Sequence, residues 1–169
     1  SQFKDFLEKM AVRYAEERLF TEDKSIKKYG AIPVYAFNFV DYVLWKNREE
    51  LKKDYDIEFK DFKFAYRRSI EHWYPQNPNG QDGESQLPAE FLHSFGNLCI
   101  ITDSQNSKFG NSYPESKLAQ WKREDIFKRQ SLKLQMMAEI TSKNNRWDIG
   151  EIQSLEKEVE RYVHDFCFS

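Results

Sequence analysis

The chain has 169 residues, a net charge of −2 and a pI near 6.0. This length suits one domain with a sizeable core, and an aromatic share of 16% predicts that large rings fill much of that core. Proteins that bind the nucleic-acid backbone usually carry a basic face, so the charge balance argues mildly against that class, although local clusters of basic residues can still provide such a face.

The two cysteines, Cys99 and Cys167, lie far apart between apolar neighbours and form no CxxC pair. The sequence therefore supports neither a zinc site nor a redox motif, and we expect two buried thiols in a cytoplasmic protein. No apolar run approaches the roughly 20 residues that a membrane span needs. Because the chain opens at Ser1 without an initiator methionine, we expect it to be part of a longer protein.

Two amphipathic helices are predicted in the first third of the chain. Apolar residues recur at helical spacing from Phe3 to Phe20, with charged residues on the other side. A second helix is predicted from Pro33 to about Lys53, since proline is well tolerated in the first helical turn. Both helices are expected to be scaffold.

The period of the apolar pattern changes to two between Asp56 and Tyr66, where aromatic residues alternate with polar ones. This alternation predicts a strand that continues through the segment 70–73. The polar segment from Asn77 to Glu84 contains proline and glycine, and we expect it to form a loop.

A second strand is predicted from Phe95 to Thr102, after a short helical turn near 88–92. The uninterrupted apolar run at 98–101 indicates burial on both faces of this strand. Asp103 and Ser104 are good residues for a helix N-cap, which places Asn106 in the first turn of a short helix.

The remainder of the sequence is predicted to be helical. A polar break is expected at 142–146, and Asp148 is expected to cap a last helix. We therefore divide a single domain, residues 1–169, into a helical N-terminal part (1–55), a core of two strands and a helix (about 57–113) and a helical C-terminal part (114–169).

Three polar residues near the two predicted strands have the chemistry that phosphodiester hydrolysis requires. A histidine such as His72 can take a proton from water near neutral pH. A hard divalent cation prefers oxygen ligands, which the carboxylate of Glu71 and the amide oxygen of Asn106 could supply. Taken singly, each residue is most simply structural; their combination, with a loop between the strands, favours a nuclease site.

The same residues carry a resemblance to a known family. Glu71-His72-Trp73-Tyr74-Pro75-Gln76, then Gly96-Asn97-Leu98, then Asn106-Ser107-Lys108 resembles the HNH (ββα-metal) nuclease superfamily. More narrowly, it resembles the C-terminal nuclease domain of GmrSD-type modification-dependent restriction enzymes, and the later Lys117 also fits. The resemblance implies an α+β domain with a ββα-metal (HNH/His-Me finger) core in a mostly helical domain.

The resemblance also implies roles for individual residues. His72 would be the general base, Glu71 and Asn106 would hold Mg²⁺ or Mn²⁺, and Asn97 would complete the catalytic set by bracing the hairpin without being a ligand. Lys108 would contact phosphate. Apart from the resemblance, the positive charges of Arg67 and Arg68 beside the site make these two residues candidate phosphate contacts as well. Many superfamily members have a histidine where Asn106 stands, and this departure weakens any claim for a transition metal. They also have a small aliphatic residue where Trp73 stands, and this departure is expected to change packing only.

The function that we expect is metal-dependent cleavage of DNA, including modified phage DNA, as the nuclease portion of a phage-defence restriction system. The family implies a partner NTPase domain or subunit outside this chain, and no membrane partner is expected. The alternative is a catalytically silent nucleic-acid-binding or regulatory module on the same scaffold. An RNA substrate is not separable from a DNA substrate by sequence.

Overall fold

The computed structural model describes residues 2–19, 28–78, 87–124 and 127–168. Within these ranges a small antiparallel sheet lies among helices, so the fold class is α+β. The α-helices are α1 (Gln2–Leu19), α2 (Val34–Lys46), α3 (Arg48–Leu51), α4 (Ala89–Leu92), α5 (Asp103–Phe109), α6 (Pro114–Glu124), α7 (Leu132–Asn144) and α8 (Ile149–Phe168). The two strands are β1 (Ser69–His72) and β2 (Leu98–Ile101), and two 3₁₀ helices cover Phe95–Asn97 and Phe127–Arg129. None of the helices in the described ranges is long and apolar enough to cross a membrane.

The second predicted helix is divided in two at Asn47. The side-chain amide of Asn47 donates to the carbonyl of Val43 at 2.9 Å, and the backbone leaves the helical region at φ −94° and ψ 16°. Asparagine interrupts helices in this way because its amide competes for nearby backbone partners. The predicted helix therefore appears as α2 and α3.

The strand predicted from Asp56 to Tyr66 is wrong. This segment is irregular, and its aromatic side chains divide between the core, where Phe59 and Phe62 are buried, and the surface, where Phe64 is exposed. The rings of Phe62 and Phe64 contact each other at 5.0 Å between centroids. The alternation thus reflects aromatic packing along an irregular segment that no neighbouring strand pairs with in the described residues.

The sheet consists of β1 and β2, with Ser69 opposite Ile101 and His72 opposite Leu98. The first three residues of the predicted second strand form the 3₁₀ helix Phe95–Asn97 instead. The strand β2 packs against α2 and α7, whereas α5 packs against β1. The loop predicted at 77–84 lies mostly outside the described residues.

Helix α5 begins one residue earlier than predicted. Thr102 is its N-cap and forms a capping box with Gln105, whose side chain accepts the Thr102 N–H at 3.4 Å. Asp103 is therefore the first helical residue. At the other end, Gly110 has a φ of 49°, a conformation that favours glycine, and it ends the helix.

Asp148 caps α8 as predicted. Its carboxylate accepts the N–H of Gly150 at 2.9 Å, and the side chain of Glu151 accepts the N–H of Asp148 at 3.1 Å. The polar break predicted at 142–146 begins later than expected, because α7 continues to Asn144 and Asn145 then adopts a left-handed conformation.

Gly96 allows α8 to lie directly against the 3₁₀ helix before β2. A Cβ atom at this position would be 2.3 Å from the backbone oxygen of Ile152, a distance that no packed structure tolerates. The N–H of Gly96 also donates to Glu156 of the same helix at 3.0 Å. The glycine in the Gly-Asn-Leu motif is thus required by close helix packing.

Asp41 joins α2 to the start of α7 inside the core. Its carboxylate accepts the hydroxyl of Ser131 at 2.8 Å and the N–H of Lys133 at 3.1 Å. Burial raises the pKa of Asp41 to about 6, although these hydrogen bonds act in the opposite direction. The folded protein therefore binds this proton more tightly than the unfolded chain does.

We expect Gly96→Ala to lower the free energy of unfolding by about 2–4 kcal/mol, because the added methyl group forces α8 away from the hairpin. Urea unfolding followed by circular dichroism measures the change. Gly150→Ala is the matched control: its Cβ would meet only Asp148 at 3.4 Å, and alanine in a helix is neutral or favourable. Equal midpoints for Gly96→Ala and the parent would contradict this account.

We expect lowering the pH from 7 to 5 to stabilise the parent relative to Asp41→Asn by about 1 kcal/mol. The raised pKa of Asp41 gives stability that is fully present below the unfolded value of 3.8 and is lost as the pH rises through about 6. Urea unfolding at both pH values tests this, with the exposed Asp165→Asn as the control for the substitution. A difference between parent and Asp41→Asn that does not change with pH would refute the buried-proton interpretation.

Candidate active site

Asn97 holds together the end of the hairpin at which the chain leaves β1 and enters β2. Its side-chain oxygen accepts the N–H of Tyr74 at 2.9 Å and the indole N–H of Trp147 at 3.0 Å. Its side-chain nitrogen donates to the carbonyls of Tyr74 at 3.1 Å and Leu92 at 2.9 Å. Asn97 is fully buried, and all of its side-chain hydrogen-bonding groups have protein partners. It braces the hairpin and has no oxygen left for a cation.

Glu71 is held by a buried lysine. The ammonium group of Lys117, from α6, lies 2.8 Å from a carboxylate oxygen of Glu71 and donates to the carbonyls of His72 at 2.6 Å and Trp73 at 3.0 Å. Lys117 is 0% exposed, and its ammonium lies over the rings of Trp73 and Phe109 at 5.8 and 5.6 Å. Lys117 therefore fixes both the acidic side chain and the backbone at the end of β1.

His72 lies in a separate group of side chains. Its Nε2 is 3.0 Å from Nδ1 of His93, and its Nδ1 is 3.1 Å from the side-chain nitrogen of Gln76. The ring of Tyr29 covers it at 4.6 Å between centroids. His72 is 3% exposed, and burial, with smaller contributions from His93 and Lys117, lowers its pKa to about 4. The imidazole is therefore neutral at neutral pH, which is the protonation state that a general base needs.

The orientation of the Gln76 amide, with its nitrogen placed at Nδ1 of His72, assigns the tautomer of the neutral His72 ring. The amide nitrogen of Gln76 only donates, so Nδ1 of His72 is the acceptor. A neutral imidazole then carries its proton on Nε2, which donates to Nδ1 of His93. Nδ1 is consequently the basic nitrogen of His72.

Asn106 lies on α5 at the other end of β1. Its side-chain nitrogen donates to the hydroxyl of Ser69 at 3.2 Å. Ser69 and Glu71 share one face of the strand because side chains two residues apart point to the same side. Asn106 and Glu71 are therefore associated with this face, whereas His72 contacts a different set of partners.

The donor atoms of Glu71 and Asn106 fit a hard divalent cation in type, since both can offer oxygen. One carboxylate oxygen of Glu71 is already paired with Lys117. Among the described residues, no three His, Cys, Asp or Glu side chains form a cluster that could hold a metal ion. From these two described residues, a cation could take a carboxylate oxygen of Glu71 and the amide oxygen of Asn106.

The basic residues predicted beside the site occupy different environments. Arg67 is only 3% exposed and donates to the backbone carbonyl of Arg129, so the predicted phosphate contact by Arg67 is not available at the surface. Arg68 is exposed and pairs with Asp103 at 2.7 Å. Lys108 is an exposed residue of α5.

Sequence reasoning missed two residues of the His72 group, Tyr29 and His93. Neither has a characteristic spacing from His72, and only the folded chain brings them to it. Gln76 was part of the quoted motif, and its hydrogen bond to Nδ1 of His72 places it in the His72 group. Lys117 was noted for its fit to the family, but no sequence signal indicated that it is buried against Glu71, which lies 46 residues away.

Comparison with known proteins agrees with the resemblance on which the sequence prediction depends. No curated protein and no solved structure matches the chain. The model of one family, GmrSD restriction endonucleases, C-terminal domain, matches residues 4–161. Because this match covers most of the chain, the chain belongs to the family of C-terminal domains of GmrSD restriction endonucleases.

Proposed function

We propose that this domain is a metal-dependent endonuclease of the HNH type that hydrolyses phosphodiester bonds, with His72 as the general base. The proposal is carried by the way in which buried side chains fix one end of the hairpin. There Asn97 and Lys117 fix the backbone around Glu71 and His72, and Asn106 of α5 bonds to Ser69 at the other end of the same short strand. Membership of a restriction-endonuclease family supports the same conclusion.

In the proposed reaction, Nδ1 of His72 takes a proton from a water molecule as that water attacks the phosphorus atom, the bond from phosphorus to the leaving sugar oxygen breaks, and the leaving oxygen takes a proton from solvent. The neutral imidazole is ready for this step, and the water would occupy the position of the Gln76 amide at Nδ1. Glu71 and Asn106 would hold Mg²⁺ or Mn²⁺. When bound, such a cation neutralises charge on the phosphate and on the leaving oxygen.

We propose DNA as the substrate, and phage DNA as the target of the restriction system. Arg68 and Lys108 are the exposed basic residues next to the hairpin and helix, and they are our candidates for phosphate contacts. The ion pair of Arg68 with Asp103 is on the surface, where such pairs contribute little stability, so a phosphate can replace the carboxylate at low cost. An NTPase partner outside this chain belongs to the same proposal.

A second candidate is a catalytically silent module that binds nucleic acid or regulates a partner. The burial of His72 and its separation from the contacts of Glu71 and Asn106 favour this alternative. In that case His72 is a buried structural histidine. DNA cleavage decides between the two candidates.

We expect the parent to nick or cut plasmid DNA with Mg²⁺ or Mn²⁺, and His72→Ala to reduce the rate by about 10²- to 10⁴-fold, the usual contribution of a general base. His164→Ala, an exposed histidine on α8, is the matched control and should cut at the parent's rate. Circular dichroism establishes that each variant is folded.

A His72→Ala protein that is folded and cuts like the parent would remove His72 from the reaction. A parent that does not cut under any of these conditions favours the silent module.

A further inference from the structure

The hydrogen-bond partner of His72 that lies outside the motif residues quoted above is His93. The two imidazoles meet edge to face, with Nε2 of His72 3.0 Å from Nδ1 of His93 and an angle of 78° between the rings. Since Nε2 of His72 carries the proton, Nδ1 of His93 is the atom that accepts it. The hydrogen bond fixes both the tautomer and the orientation of His72.

The backbone of His93 is fixed on both sides. Its N–H donates to the carbonyl of Ala89 at 3.1 Å, and its carbonyl accepts the N–H of Tyr29 at 2.9 Å. The bridge between Lys28 and Ser94 continues the same pairing. His93 is therefore held in place by the short helix α4 and by the segment at 28–30.

Tyr29 completes the arrangement from the outside. Tyr29 is 45% exposed as a residue, and the centroid of its ring lies 4.6 Å from that of His72 and 6.0 Å from that of His93, nearly parallel to the latter. Contact with both rings limits rotation of the imidazoles about their side-chain bonds. The hydrogen bond between the histidines is thus shielded from solvent by an aromatic side chain.

Asn97 links the two segments that carry the histidines. It bonds to Tyr74, two residues after His72, and to Leu92, the residue directly before His93. One buried amide therefore holds both histidine-bearing segments. This arrangement is more specific than a chance contact of two polar side chains.

We propose that His93 is a positioning residue for the general base: it accepts the Nε2 proton of His72 and so keeps Nδ1 as the basic nitrogen that faces the attacking water. This inference rests on the proposed function of His72. Histidines that take part in catalysis or bind metals commonly depend on such a partner at the other ring nitrogen. Loss of the partner lowers activity or metal affinity by roughly 10- to 100-fold.

Three variants separate positioning from packing. His93→Phe keeps an aromatic ring for Tyr29 but removes the acceptor. His93→Asn places an amide oxygen where Nδ1 lies, so it keeps the acceptor without the ring. His164→Phe, at an exposed position, controls for the substitution itself.

Two readouts are made on the whole chain: steady-state plasmid cleavage with Mg²⁺ or Mn²⁺, and long-range ¹H–¹⁵N NMR spectra of the histidine rings near pH 7.5. The chain has only three histidines, so the signals are assigned from the variants. We expect His72 of the parent to show the Nε2–H tautomer. We expect His93→Phe to lose this fixed tautomer and to lower kcat about 10- to 100-fold with little change in KM, and His93→Asn to retain both.

His93→Phe with the parent's tautomer and kcat would overturn the inference. A His93→Asn protein whose kcat falls as far as that of His93→Phe would also overturn the inference, because the hydrogen-bond acceptor would then be present without effect. A parent that does not cleave contradicts the proposed function instead. In that case the tautomer of His72 in the two variants still decides whether His93 positions it.

Discussion

The structure depends most on the buried side chain of Asn97. It replaces part of the hydrogen bonding that a wider sheet would supply, because a two-stranded sheet leaves many backbone groups without a neighbouring strand. Through Tyr74, Leu92 and Trp147, it joins the segment after β1, the last residue of α4 and the segment before α8. An aspartate or leucine could not replace it, since neither offers two donors and an acceptor in this geometry.

Two buried lysines also hold the backbone of the two strands in place. Lys117 donates to the carbonyls of His72 and Trp73 at the end of β1, and Lys133 donates to the carbonyls of Phe95 and Leu98 at the start of β2. Burial lowers the pKa of Lys133 to about 8, which is the cost of placing an ammonium among apolar side chains. The hairpin is therefore held by two ammonium groups, one from α6 and one from α7, which donate hydrogen bonds to its carbonyls.

The sequence was most informative where structure follows from local chemistry. The helix periodicity, the cap at Asp148 and the strand around Glu71 and His72 could be predicted because neighbouring residues determine them. The strand predicted at 56–66 failed because alternation of aromatic residues does not show whether a partner strand exists. The contacts of Lys117 and His93 could not be predicted, since they join residues that only the tertiary fold brings together.

The burial of His72 has two opposite consequences for the proposed reaction. It keeps the imidazole neutral, but a base whose pKa is about 4 has little tendency to take a proton from water. Hydration of Nδ1 would reverse part of this effect, because desolvation is the main cause of the lowered pKa. The group that stands at Nδ1 is the half-buried amide of Gln76, and it is held there by one hydrogen bond of 3.1 Å. In the proposed mechanism, exchange of this amide for the attacking water therefore both supplies the nucleophile and strengthens the base, while His93 keeps the other side of the ring unchanged.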